Sequence, residues 1–209
     1  MPTKTFFNLP EAKRQRLMDA VWEEFSTYPY AEASINRIIQ AADISRGSFY
    51  QYFSGKQDVF SYLLQILLRH GEALFRAQLT AHRSDLFAAM LGMYDILLWQ
   101  SARCADDEEQ NRFRSLLRLN LDLDHNLLTN LLDLDALTRQ SMELLAQNGY
   151  PMETPGQCQA VLYMLLNLGL TALHHALQSP EYEPRYRELL EAQLSIIQHG
   201  IRRKGDLVC

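Results

Sequence analysis

Residues 33–60 read ASINRIIQAADISRGSFYQYFSGKQDVF, and two short helical patterns lie inside them. Ile35, Ile38, Ile39 and Ala42 fall on one face of a helix that Ser34 is placed to cap. Asp43-Ile44-Ser45 makes a tight turn, and Ser45 caps a further helix from Arg46 to Tyr52. Phe49 of that helix points inward, leaving Arg46, Gly47, Ser48, Tyr50 and Gln51 more or less outward. Two short helices joined by such a turn read as a helix-turn-helix. Ser54 and Gln57 then supply a capping box for a helix that meets no breaker before about Leu79.

Working outward, Asn8 and Glu11 flank Pro10 in the pattern of a capping box. The helix they open carries an apolar stripe of Leu17, Val21 and Phe25 and stops at Tyr28-Pro29. Downstream the patterns remain helical: from Ser84 to about Arg103, then, past an acidic break at Asp106-Asp107, from about Glu108 to Asn148. Gly149-Tyr150-Pro151 breaks the chain again. Thr154-Pro155-Gly156-Gln157 combines a cap, a proline at the first helical position and a glutamine at the third, starting a run through Leu177. Pro184 opens the last helix, with Tyr186, Leu189, Leu190, Leu194, Ile197 and Ile201 on its buried face and Arg202-Arg203-Lys204 complementing its dipole. No run has the period of a strand. The expected fold is all-α: a three-helix helix-turn-helix module over residues 1–54 and a helical domain over 55–209.

Composition agrees with this class. Hydrophobic residues are 47% and charged residues 22% of the 209, with only 9 glycines and 7 prolines, as in a soluble helical protein. The net charge is -5, yet residues 1–60 carry seven Lys/Arg against seven Asp/Glu, so the acidity lies in the remainder. Between Ser34 and Lys56, Arg37, Arg46 and Lys56 face Asp43 alone, the charge footprint of a small nucleic-acid-reading module on an acidic protein. Cys104, Cys158 and Cys209 are too few and dispersed for a disulfide framework, and nothing before Asn8 reads as a signal peptide or anchor, so the cytoplasm is the expected compartment. Val161 to Leu177 is apolar but interrupted by Asn167, Thr171, His174 and His175, which reads as a buried core or interface helix rather than a membrane span.

Catalytic and metal patterns fail on inspection. Gly55-Lys56 lacks the first glycine of a phosphate loop, where Tyr50 stands, and Gln57 replaces its Ser/Thr. There is neither a G-x-S-x-G elbow nor an H-E-x-x-H helix. Asp122, Asp124, Asn126 and Asp133 occupy calcium-loop offsets, but Leu127 sits where that loop needs glycine. Adjacent His174 and His175 diverge on a helix and have no carboxylate suitably spaced. The expectation is a non-enzyme with no metal and no cofactor.

The 33–60 segment, with the helix before it, resembles the signature of the tetracycline-repressor (TetR) family over about the first quarter of the chain. Two positions depart from it: Asp43 and Pro29 stand where the family usually has glycine, and both residues suit a helix end. The resemblance implies a bacterial transcription regulator, a repressor by default, that binds double-stranded operator DNA as a homodimer and is released by a small-molecule effector. It places Arg46, Ser48, Tyr50 and Gln51 in the major groove, Tyr52 and Lys56 on phosphates, and Ser34 and Asn36 in a secondary role; Gly47 allows close approach to the duplex. An effector cavity is expected among the helices from Ser54 and Ser84, lined by His70, Met90, Tyr94 and Phe113, because the second helix is apolar nearly all round and Met and Tyr suit an adaptable pocket. The competing readings are a helical binding or scaffold protein with a vestigial DNA-binding module and, behind it, a helical-bundle enzyme.

Overall fold

The computed structural model describes residues 1–103, 108–120, 134–147, 150 and 152–200, and every regular element among them is helical. In order these are α1 (Lys4–Phe7), α2 (Glu11–Thr27), α3 (Ile35–Ala41), α4 (Arg46–Tyr52), α5 (Lys56–Ala81), α6 (Leu86–Arg103), α7 (Glu108–Asn120), α8 (Leu134–Gln147), α9 (Pro155–Gln178) and α10 (Glu183–Gly200), the last after a 3-10 turn at Pro180–Tyr182. The acidic break, the calcium-loop offsets, most of the Gly149-Tyr150-Pro151 break, Ile201 and the basic Arg202-Arg203-Lys204 lie outside the described residues.

One compact unit comprises α1 to α4, α5 through His70, and α7. Its core is aromatic: Phe6, Phe25, Phe49, Phe53 and Phe60 are each fully buried, together with Leu17, Val21, Val59 and Leu63. Burial of each such side chain contributes about 1.5–3 kcal/mol. The stripe read from α2 is thus confirmed, but α1 is an addition. Asn8 ends that short helix, so Pro10 rather than Asn8 precedes α2, and Glu11 pairs with Arg14 instead of closing a capping box.

The turn between α3 and α4 explains why Asp43 can replace glycine. Its φ of 52° is left-handed, a conformation that aspartate tolerates better than most residues. Ile44 N–H bonds the Ile39 carbonyl (3.2 Å) and Asp43 N–H the Gln40 carbonyl (3.3 Å), which together make a Schellman motif. Ile39 and Ile44 both pack on the core, the apolar contact that accompanies this cap. Ser45 then accepts the Ser48 N–H at 3.1 Å, as its position predicts.

Three polar side chains hold the loop between α2 and α3. Glu24, 5% exposed on the otherwise apolar face of α2, accepts both Nε and Nη2 of Arg37 and the Ser34 N–H at 2.6 Å. Ser34 therefore caps α3 without using its hydroxyl. Asn120, at the end of α7 and 7% exposed, accepts the Tyr30 N–H (2.8 Å) and donates to the carbonyls of Phe25 (3.2 Å) and Leu116 (3.0 Å). The third is Lys56, described with the candidate interface below.

The second unit comprises α5 from Gly71, α6, α8, α9 and α10. Here α5 ends in another Schellman pair, Ser84 N–H to Leu79 and Arg83 N–H to Thr80, which leaves Asp85 and not Ser84 to cap α6 through the N–H groups of Phe87 and Ala88. Thr154 caps α9 by accepting the Gln157 N–H, as read from sequence. By length and composition α9 could cross a membrane, yet Val161, Leu162, Leu165, Leu173 and Leu177 are buried in a helix packed on α6, α8 and α10. Gly169 lets α6 approach: a methyl there would stand 2.9 Å from the Met90 Cε.

Replacing Asn120 by alanine strands the Tyr30 N–H and the Phe25 carbonyl. The expected cost is about 1–3 kcal/mol, read as a lower urea midpoint with an unchanged m-value.

Candidate nucleic-acid interface

Helix α4 divides sharply between its faces. Phe49 is fully buried and Tyr52 is 4% exposed, whereas Arg46, Gly47, Tyr50 and Gln51 face solvent. The sequence sends Tyr52 toward DNA; in the structure its ring belongs to the aromatic core, which the 3.6-residue period demands of a residue three after Phe49.

The exposed row is preorganised. Arg46 Nη1 donates to Asn36 Oδ1 at 2.8 Å, tying α4 to the start of α3, and its guanidinium carbon lies 5.6 Å from the Tyr50 ring centroid. Both partners are neutral, so the cation keeps its charge, and its Nε–Nη2 edge makes neither of these contacts. That edge matches the O6/N7 edge of guanine. Ser48 is half-buried with its hydroxyl 2.8 Å from that of Ser45, so it braces the helix start. A methyl on Gly47 would meet nothing nearer than the Ser45 Oγ at 3.9 Å. Internal packing therefore does not require glycine here.

Charge in this region differs from a linear count. Arg37 is neutralised by buried Glu24, whose hydrogen bond raises the already high arginine pKa, and its guanidinium also covers the Tyr28 ring at 4.0 Å. Lys56 Nζ donates to the carbonyls of Tyr30 (2.8 Å), Ala33 (3.1 Å) and Ala31 (3.2 Å). An ammonium has three donors, and all are engaged. The lysine that the sequence assigns to phosphate is a brace for the α2–α3 loop.

Sequence reading missed Glu24, Asn120 and Thr3. Glu24 left a signal, a carboxylate seven residues after Leu17 and three after Val21 on an apolar stripe, where it must find a partner. Ser54 and Asp58 form the start of α5: the helix begins at Lys56, one residue later than expected, so Asp58 rather than Gln57 reaches back to the Ser54 N–H at 2.8 Å.

Residues 17–63 match the profile of the bacterial regulatory proteins of the tetR family. A TetR-family transcriptional regulator from Chloroflexus aurantiacus J-10-FL is 27% identical over 98% of this chain and 100% of its own, with a TM-score of 0.50. Residues 17–63 of this chain therefore form a domain of the TetR type. The fold is shared further: the fatty acid degradation regulator FadR from Bacillus halodurans has 17% identity over 94% of this chain and 100% of its own (TM-score 0.57). A transcriptional regulator from Rhodococcus sp. Rha1 has 20% identity over 93% of this chain and 98% of its own (TM-score 0.58).

The four residues expected to line an effector cavity do not fall together in one unit. His70 is exposed on α5, and α7 carries Phe113, whose side chain lies outside the described residues; both belong to the first unit. Met90 and Tyr94 lie one turn apart on α6, in the second. Tyr94 is 3% exposed and its hydroxyl has no hydrogen-bond partner among the described residues. Burial, reinforced by Glu183 and Asp95, raises its pKa above the ordinary phenol range.

If Lys56 is a brace, Lys56→Ala lowers stability by about 1–3 kcal/mol. It leaves the salt dependence of DNA binding unaltered. A slope flatter by about one unit per subunit would instead return Lys56 to phosphate.

Proposed function

We propose that this protein is a TetR-family transcription regulator, a repressor that binds a palindromic operator as a homodimer and leaves it when a small molecule binds its C-terminal domain. The carrying observation is the preorganised row Arg46, Gly47, Tyr50 and Gln51 on a helix whose other face is locked in core. Arg46 reads guanine in the major groove and Gln51 adenine, Tyr50 packs on a sugar or thymine methyl, and Asn36 positions Arg46. Residues 1–54 are the reading head in this proposal, and 55–209 the effector-binding and dimerising part. Acting on chromosomal DNA places the protein in the cytoplasm.

Dimerisation is assigned to α9 and α10. Tyr163 and Met164 on α9 and Leu189 and Ile196 on α10 are 48%, 43%, 54% and 72% exposed, and Leu189 and Ile196 stand two turns apart on one helix face. The sequence pattern places Leu189 among buried residues, and a symmetry mate would bury it. For the effector, the unpartnered Tyr94 hydroxyl is the anchor: a buried polar group without a partner costs about 1–3 kcal/mol, which a ligand's polar atom would recover. Helix α5, shared in sequence by both units, carries the effect to the reading head.

A scaffold with a decayed DNA-binding module would have no reason to keep an exposed arginine tied to Asn36 and a glycine that packing does not need. The two readings part on the DNA immediately upstream of the gene, which the regulator retards in a gel and the scaffold does not.

Three outcomes are expected. Arg46→Ala or Gln51→Ala costs about 1–3 kcal/mol on operator and relaxes preference at particular base pairs, with random duplex affected less. Asn36→Ala relaxes the same base pair as Arg46→Ala, and the double variant adds little; independent losses would exclude the positioning role. In light scattering the protein runs as a dimer at micromolar concentration, and a stable monomer would overturn the dimer assignment.

A further inference from the structure

We infer that Thr3, on the segment preceding the family-matched residues, is a positioning residue of the reading head: it caps the C-terminus of the recognition helix α4 from outside. This rests on the proposed DNA-reading role of α4.

A helix ends with four carbonyls that its own backbone cannot satisfy. In α4 the Phe49 carbonyl is taken by the Phe53 N–H at 2.9 Å. The Gln51 and Tyr52 carbonyls are taken by a single residue 48 or more positions away, since Thr3 Oγ1 donates to Gln51 O at 2.6 Å and Thr3 N–H donates to Tyr52 O at 3.0 Å. A glycine would normally end such a helix, but Phe53 continues in extended backbone (φ −133°), so no local Schellman pair forms and the cap must come from elsewhere.

Thr3 is itself fixed. It precedes α1, whose Phe6 is fully buried with its ring 5.0 Å from Phe53 and 5.4 Å from Tyr62. The Thr3 carbonyl accepts the Phe6 N–H at 3.1 Å, so the anchor and the cap form one rigid hook. The hook closes on the carbonyl of Gln51, the residue at the exposed end of the reading row. The end of a seven-residue helix frays without such a partner, and fraying there displaces the Gln51 side chain from its base pair. The cap touches no DNA; its effect is on the accuracy with which Gln51 is presented.

The test uses three variants of the full chain. Thr3→Ser keeps both donors. Thr3→Val removes the hydroxyl. Thr3→Pro removes both, and the native φ of −74° suits proline, so the backbone path is preserved. Amide exchange in the DNA-free protein should rise at Tyr52 and Phe53 in the order Ser, Val, Pro while α2 is unchanged. The ratio of operator to random-duplex affinity should fall about fivefold for Thr3→Val, more for Thr3→Pro, and stay native for Thr3→Ser, one hydrogen bond being worth roughly that factor. Equal weakening on both duplexes, with the ratio preserved, would mean a structural role only and overturn the inference, as would unchanged exchange in Thr3→Pro. Should Gln51→Ala also leave the ratio native, the DNA-reading role of α4 is what fails, and the positioning role falls with it; the exchange data then report the cap separately.

Discussion

A buried carboxylate sets the geometry of the helix-turn-helix. Glu24 sits where α2 should carry an apolar residue, and a charge taken out of water must be compensated within hydrogen-bond distance. Arg37 supplies two N–H groups and the Ser34 backbone a third, and these contacts fix where α3 starts and how it lies against α2. Because α4 follows α3 through a turn with one left-handed residue, the exposed row of α4 is placed by the same contacts. An apolar residue at position 24 would pack as well but would not specify direction, since dispersion contacts are non-directional and hydrogen bonds are not.

The α2–α3 loop extends this logic. Lys56 from α5 and Asn120 from α7 both end on its backbone, sharing Tyr30 between them. Each arrives from a different helix of the same unit, so the loop registers the positions of α5 and α7 together. Polar groups of this kind have sharp distance requirements and lose most of their interaction over a fraction of an ångström.

What was legible in the sequence was local. The Ser45 and Thr154 caps, the tolerance of Asp43 for a left-handed turn, and the apolar stripe of α2 follow from residues within a few positions of one another, whose energetics hardly depend on the rest of the molecule. Competition defeated the others. Asn8 was claimed by α1, Ser84 by the end of α5, and Ser54 by Asp58 after the helix began a residue late. Nor does a sequence say where a cation's partner lies: Arg37 and Lys56 count as positive charge in a window that omits Glu24 and the carbonyls of 30–33. Thr3 had no local signature at all, because its two acceptors come from the other end of the reading head. Composition suggests Met and Tyr side chains for an adaptable pocket but carries no information on which helices meet.

The separation of faces on α4 bears on how such a protein changes over evolutionary time. Stability is invested in Phe49 and Tyr52, inside the core, while Arg46, Gly47, Tyr50 and Gln51 stand outside it. Substitutions at exposed positions away from caps generally shift stability by no more than about 0.5 kcal/mol, whereas aromatic core losses reach about 3–5 kcal/mol. If the row reads DNA as proposed, drift there can therefore sample new binding preferences without approaching the threshold at which the fold is lost. A duplicated copy of the gene would be free to diverge in what it reads long before it diverged in how it folds.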